Sequence, residues 1–270
     1  MNLTGEKLCE KFASCVNSRP LKRAARYRVG VDLGTANVVV AVVDEDGEPV
    51  AGKLKKAQVV RDGLVVDFVG ARDILTKMIQ ELCDELGEEL VDAACAVPPG
   101  TGMADSKATM YVVEASGLEV RNIVDEPSAA AKVLGITNGA VVDIGGGTTG
   151  ISVLREGKVV YTADEPTGGT HFTLVLAGHF NLPFDEAENI KLDEKNQKRL
   201  FPILKPTMEK VTDITKRHIQ GFDVGTIYLV GGASALYGLK DVMSNVLGIE
   251  VVVPQYPLYV TPLGIALSCP

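Results

Sequence analysis

Two short runs in this chain place an aspartate two residues before a glycine, at the end of an apolar β-type segment. The first is Val31-Asp32-Leu33-Gly34-Thr35-Ala36-Asn37, and the second is Val142-Asp143-Ile144-Gly145-Gly146-Gly147-Thr148-Thr149-Gly150. A turn with little side chain lets backbone N–H groups approach phosphate oxygens, and threonine hydroxyls add donors. Mg2+ prefers oxygen ligands, keeps several waters and needs only one or two nearby carboxylates. Asp32 and Asp143 are therefore candidates to hold the waters of a magnesium ion. Gly and Asp also populate ordinary hairpin turns for conformational reasons alone, so one such run by itself leaves the two readings level. A third run, Ile227-Tyr228-Leu229-Val230-Gly231-Gly232-Ala233-Ser234, is a buried strand followed by a glycine pair. A flat ring or a ribose can lie against such a pair, and Ser234 can cap the next helix. Alone it also reads as a plain strand-to-helix turn. Two matched turns followed by this third element favour one phosphate-bearing ligand held between two half-folds.

The elements that position these residues follow from periodicity. Residues 28 to 66 read as a strand meander, with Asp46-Gly47 and Arg61-Asp62-Gly63 as hairpin signals. The spacing predicts helices at 70–86, 103–116 and 127–134, with strands at 93–97 and 119–124 between them. Strands restart at 140–144, 150–155 and 158–163. Helices are expected at about 170–180, 185–191 and 206–220, with a strand at 226–230 and a helix from Ser234. A strand at 249–253 and a helix at 261–267 close the chain. Each half is a meander followed by alternating helices and strands, which predicts two α/β lobes of related design. Ahead of them, Leu3, Leu8, Phe12, Cys15 and Val16 lie at helical spacing with Glu6, Lys7, Glu10 and Lys11 between. Asn17-Ser18-Arg19-Pro20 breaks this amphipathic helix, and a basic linker runs on to Tyr27. Such a helix can dock on a partner or pack on its own lobe.

Composition excludes several classes. A chain of 270 residues, 46% apolar and 23% charged, is globular and large enough for two lobes. A net charge of -8 opposes sequence-independent nucleic-acid binding, which depends on neutralising phosphates. With no Trp and 5% aromatics there is no stacking platform for single strands. Five cysteines without a C-x-x-C fit reduced thiols of a cytoplasmic protein, and three lone histidines give no metal spacing. No apolar run approaches the length of a membrane span, and the mixed charges of the first 20 residues do not read as a secretory signal.

The order of these motifs resembles that of the actin/Hsp70/sugar-kinase superfamily of ATPases. Val29 to Val39 and Val141 to Val153 are similar to its two phosphate motifs. Asp125-Glu126-Pro127-Ser128-Ala129-Ala130-Ala131 resembles the first connecting helix, Tyr228 to Leu239 the adenosine motif, and Pro262 to Ser268 the second connecting helix. The match runs from about residue 28 to 268. More narrowly, the chain resembles a small Hsp70-like family tied to ethanolamine utilisation. The resemblance implies a duplicated ribonuclease-H-like α/β fold, with two lobes around a nucleotide cleft. It places an N-terminal helix and linker at 1–26, a first lobe at 27–136 plus 260–270, and a second lobe at 137–259. It implies ATP and Mg2+ as ligands, with Asp32 and Asp143 on the metal's waters and Glu126 orienting the attacking water. Gly34, Thr35, Asn37, Gly145, Gly146, Gly147 and Thr148 would contact phosphates. Glu188 and Lys191 would reach the ribose, and Gly231, Gly232 and Ser234 would line the adenosine pocket.

The resemblance further implies a slow ATPase acting as a chaperone or reactivation factor on protein clients, enzymes or shell proteins of a microcompartment in the cytoplasm. A nucleotide-gated, filament-forming scaffold is the alternative, and a sugar or acetate-type kinase a third. Against the kinase, the chain is short and lacks an evident catalytic Asp in a substrate lobe. Three departures stand out. The second phosphate motif ends Thr148-Thr149-Gly150, where relatives often carry an acidic or aromatic residue. The insertion that completes the adenine pocket is reduced, and no peptide-binding domain of the full Hsp70 kind is expected.

Overall fold

Valine-rich strands with both faces covered form the centre of the molecule. The computed structural model describes residues 3–61 and 63–270. β1 (Tyr27–Leu33), β2 (Asn37–Asp44) and β3 (Pro49–Lys56) are an antiparallel meander. β4 (Val60–Arg61) and β5 (Leu64–Val65) form a two-stranded hairpin, in which Asp62 of the predicted turn lies outside the described residues. α2 (Phe68–Leu86) starts at Asp67, whose carboxylate accepts from the Gly70 N–H, and stops at left-handed Gly87. β6 (Asp92–Val97), α3 (Met103–Glu114) and β7 (Glu119–Asp125) complete a five-stranded sheet ordered β3-β2-β1-β6-β7. The pairs β1–β6 and β6–β7 are parallel. α4 (Glu126–Leu134) then leads to the second sheet.

There the same plan repeats. β8 (Gly139–Ile144), β9 (Thr149–Arg155) and β10 (Lys158–Glu165) form the meander. α5 (Gly169–Phe180), α6 (Phe184–Leu192) and α7 (Glu194–Ile219) precede β11 (Thr226–Val230), and α8 (Leu239–Leu247) precedes β12 (Glu250–Val252). The sheet order is β10-β9-β8-β11-β12, with β8–β11 and β11–β12 parallel. Strand order and strand sense match the first sheet one for one. This is the duplicated ribonuclease-H-like, actin-like fold. α9 (Pro257–Ser268) ends the chain.

Three apolar layers hold these sheets. On one face of the first sheet, Val29, Val31, Val38 and Val40 pack against Leu75, Met78 and Leu82 of α2. On the outer face of the second, Val142, Ile151 and Val153 pack against Leu204, Met208 and Val211 of α7. The facing sides of both sheets share a third core. Val39, Ala41 and Val43 of β2, Val141 of β8 and Val230 of β11 meet Ala130 and Leu134 of α4 and Val260, Leu263 and Ala266 of α9. The alternation of strand side chains between faces is what lets one strand serve two cores.

The N-terminal helix belongs to this middle layer. α1 (Leu3–Cys15) buries Cys9, Phe12 and Cys15, and the Phe12 ring meets Tyr259 of α9 edge-on at 5.5 Å. After it the chain runs along the margin of β3. Asn17 and Leu21 donate N–H bonds to Gly52 and Val50, and the Asn17 side chain both donates to and accepts from the Leu54 backbone. Of the two placements open to this helix, the structure has it packed on its own fold.

Three expected boundaries are corrected. α7 begins at Glu194 and not near residue 206. Pro202 and Pro206 suggested a later start, but both face solvent, where missing N–H groups leave only water-accessible carbonyls unpaired. Leu200 and Leu204 bury on the other side and keep the helix in place. α9 begins at Pro257, four residues earlier than its pattern predicts. No α-helix starts at Ser234. Residues Gly232–Ala235 form one 3-10 turn, α8 starts at Leu239, and the Ser234 hydroxyl donates to the Val230 carbonyl instead of capping.

Four of the five free thiols, Cys9, Cys15, Cys95 and Cys269, are buried. Burial pushes the Cys9 and Cys95 thiols up to about 12 and the Cys15 thiol up to about 11. Among the described residues no helix is long and apolar enough to cross a membrane.

Candidate functional site

Asp32 and Asp143 occupy the same place in the two halves, one residue before the ends of β1 and β8. The turns that follow close identically. Gly34 N–H donates to the Asn37 carbonyl at 2.9 Å, and Gly145 N–H to the Thr148 carbonyl at 3.0 Å. The two turns face each other and touch. A Cβ on Gly147 would stand 2.7 Å from Thr35 Oγ1, and one on Gly146 2.9 Å from the Ala36 Cβ. Only glycine lets the halves approach this closely. Between them opens a cleft of about 1920 Å³.

The N-terminus of α5 sets the orientation of the second turn. Gly169 and Thr170 N–H groups donate to the Gly145 and Gly146 carbonyls at 2.8 and 2.7 Å. In a trans peptide the following N–H points the opposite way. The Gly146 and Gly147 N–H groups are therefore turned away from α5, and among the described residues no backbone acceptor takes them. They are donors held ready for an anion.

Glu126 opens α4 and lines the same cleft as both aspartates, while Asp125 caps the helix by accepting from the Ser128 N–H at 2.9 Å. No ion pair joins Asp32, Asp143 or Glu126 to a basic side chain among the described residues. Their electrostatics show the consequence. Burial, and then the Asp143 charge, push the Asp32 carboxyl up to about 7. Burial pushes Asp143 up to about 6, opposed by a hydrogen bond from Thr261. Glu126 is raised well above its ordinary value by burial and by the charges of Asp143 and Asp32. Three carboxyls without a counter-charge are a site that a divalent cation would relieve. No cluster among the described residues is tight enough to cage a metal directly.

Further along the cleft, Lys191 is 5% exposed and donates to the Gly169 carbonyl at 3.0 Å and to Thr173 Oγ1 at 2.8 Å. It pairs with Glu188 Oε2 at 2.7 Å, and Thr173 also bonds Glu188. Burial lowers the Lys191 pKa, while the Glu188 charge opposes the shift. Gly231 and Gly232 line the cleft too. Gly231 has φ +84°, and a Cβ there would meet Asp143 Oδ1 at 2.3 Å.

Of the residues singled out by sequence, Asp32, Gly34, Thr35, Asn37, Glu126, Asp143, Gly145, Gly146, Gly147, Thr148, Glu188, Lys191, Gly231 and Gly232 all line this one cleft. Ser234 does not. It is 2% exposed and its hydroxyl is spent on Val230. Sequence reasoning missed Tyr237 and Lys198, which line the cleft with the ammonium 5.7 Å from the ring centre. It also missed Thr261, whose signal was the one internal aliphatic hydroxyl in a largely apolar helix.

Two sheets of this topology, meeting at paired Asp–Gly turns, define an actin-like ATPase fold. The family profile for "MreB/Mbl protein" matches residues 49–191, and that for "Cell division protein FtsA" matches residues 140–264. The "Ethanolamine utilization protein EutJ" of Salmonella typhimurium is 42% identical over 260 residues, covering 96% of this chain and 91% of that protein. The crystal structure of EutJ from Carboxydothermus hydrogenoformans is similar with a TM-score of 0.92 and 48% identity, covering 97% of both chains. The MreB5 structure of Spiroplasma citri bound to AMPPNP has a TM-score of 0.73 at 17% identity, covering 90% of this chain and 96% of that one, and shares the fold. The chain belongs to the EutJ family of ethanolamine utilization proteins.

Proposed function

We propose that this chain binds ATP with Mg2+ between its two halves, hydrolyses it slowly, and uses the resulting closure to act on a protein partner in ethanolamine utilisation. The observation that carries this reading is the contact between the two Asp–Gly turns, which presents two carboxylates and free backbone donors to one space. The Gly146 and Gly147 N–H groups and the Thr35 and Thr148 hydroxyls would bind phosphate oxygens. Asp32 and Asp143 would hold Mg2+ through its waters. The ion would neutralise charge on the transferring phosphoryl group, where positioning and electrostatics supply most of the catalysis. Glu126, raised in pKa and close to both aspartates, would orient the attacking water and accept its proton. Gly231 and Gly232 would receive the adenosine, with Glu188 and Lys191 near the ribose and the Tyr237 ring beyond.

The EutJ name of its relatives supports a role in ethanolamine utilisation. There we assign the chain to chaperone or reactivation work on microcompartment enzymes or shell proteins. Sedimentation with ATP tests this against the scaffold reading, since a filament former pellets and a chaperone does not. The site itself is tested by titrating a fluorescent ATP analogue into the wild type and Asp143→Ala, each with and without Mg2+. Wild-type affinity should rise with Mg2+ by at least roughly tenfold, and the variant should lose that gain. Equal affinity under all four conditions rejects the metal assignment.

A further inference from the structure

Thr261 connects the aspartate of one half to a helix that is buried against the other. Its side chain is 4% exposed, and its hydroxyl donates to Asp143 Oδ2 at 2.6 Å. A buried threonine in a helix ordinarily turns its hydroxyl onto the carbonyl four residues earlier, as Thr212 and Thr215 do in α7. For Thr261 that carbonyl belongs to Pro257, and it accepts the Gly231 N–H at 2.9 Å. The hydroxyl instead leaves its own helix to reach the carboxylate. The first turn of α9 thus grips both the glycine turn after β11 and the aspartate at the end of β8.

The rest of α9 lies against the first half. A Cβ on Gly264 would stand 2.0 Å from the Ala129 carbonyl of α4, and one on Gly30 of β1 would stand 2.3 Å from the Ala266 nitrogen. β1 carries Asp32 two residues after Gly30. One rigid helix therefore touches both aspartate-bearing strands, and the Thr261–Asp143 bond is its direct link to a candidate metal-water carboxylate.

We infer that Thr261 is a positioning residue, which fixes the Asp143 carboxylate for the metal's waters and makes α9 move with that site when the halves close. This rests on the nucleotide reading above and adds a residue through which metal binding is transmitted between the halves. Thr261→Val keeps the branched shape and removes the donor, leaving Asp143 Oδ2 without that partner, while Thr261→Ser keeps the donor. The measurement is the affinity for a fluorescent ATP analogue with Mg2+ and in chelator, together with hydrogen exchange along residues 257–268. Thr261→Val should lose roughly tenfold in affinity with Mg2+ and little without it, the scale of a hydrogen bond to a charged group. Thr261→Ser should recover the wild-type ratio, and the protection that Mg-nucleotide confers on α9 should vanish in Thr261→Val alone. Thr261→Ala, measured in parallel, guards against a folding defect peculiar to valine. Wild-type binding with an unchanged Mg2+ ratio and unchanged α9 protection in Thr261→Val overturns this inference alone. Failure of the wild type to bind nucleotide overturns the functional reading and this inference with it.

Discussion

Replacing Phe12 with alanine asks whether the N-terminal helix is a tail or part of the fold. Phe12 is fully buried, contacts Tyr259 edge-on at 5.5 Å, and lies so close to Gly52 that a Cβ there would meet its ring at 2.5 Å. Truncating a buried phenylalanine removes its transfer free energy and leaves a void, together about 3–5 kcal/mol. A domain of 270 residues unfolds with an entropy of about 0.57 kcal/mol/K, scaling about 2.1 cal/mol/K per residue. The midpoint should therefore fall by about 5–9 °C. Thermal unfolding followed by circular dichroism gives the shift, and thiol titration at 25 °C reports whether Cys9 and Cys15 have become reactive. A shift below about 2 °C, with both thiols still protected, would mean that Phe12 contributes little to the cooperative unit and would refute the packing argument.

Two further outcomes follow from the same geometry. Gly147→Val should cut affinity for the ATP analogue at least roughly tenfold with little change in the unfolding midpoint, because the new side chain would wedge Thr35 away from the second turn; unchanged affinity would mean that the turns need not touch. Asp44 governs acid stability. Burial raises its pKa, but the Lys22 ammonium and the Glu48 and Asp46 N–H groups outweigh that and hold the carboxyl below its ordinary 3.8. A depressed carboxyl pKa stabilises the fold above the unfolded value, and that contribution is lost as pH falls through the folded one. Melting points should thus drop below about pH 4, and less steeply in Asp44→Asn; parallel curves for the two proteins would exclude Asp44 as a source of the acid limb.

The duplicated fold was legible because its signals are local. Valine-rich strands flanking Asp–Gly turns state both the strand and the site at once, and each turn closes as its sequence requires. Glu126 and Gly231 were legible by their order along the chain. What escaped depends on tertiary context. Pro202 and Pro206 look like a helix break until their exposure, with Leu200 and Leu204 buried opposite, shows why α7 runs past them. Ser234 looks like a cap until the Val230 carbonyl takes its hydroxyl. The Thr261–Asp143 bond joins residues 118 apart in sequence, and no periodicity encodes such a pairing. Glu188 and Lys191 were picked out as a pair, but their tie to the start of α5 needed the positions of Gly169 and Thr173.

The segment after α1 has a consequence for assembly. An open strand margin is a template for another chain, and residues 16–21 already occupy the outer side of β3, with Val16 bridged to Gly52 in parallel. The protein therefore carries its own plug for that margin. Any polymer of this chain must grow through other surfaces, and a version cut after residue 21 would present an unsatisfied strand to its neighbours and stick to them for reasons unrelated to nucleotide.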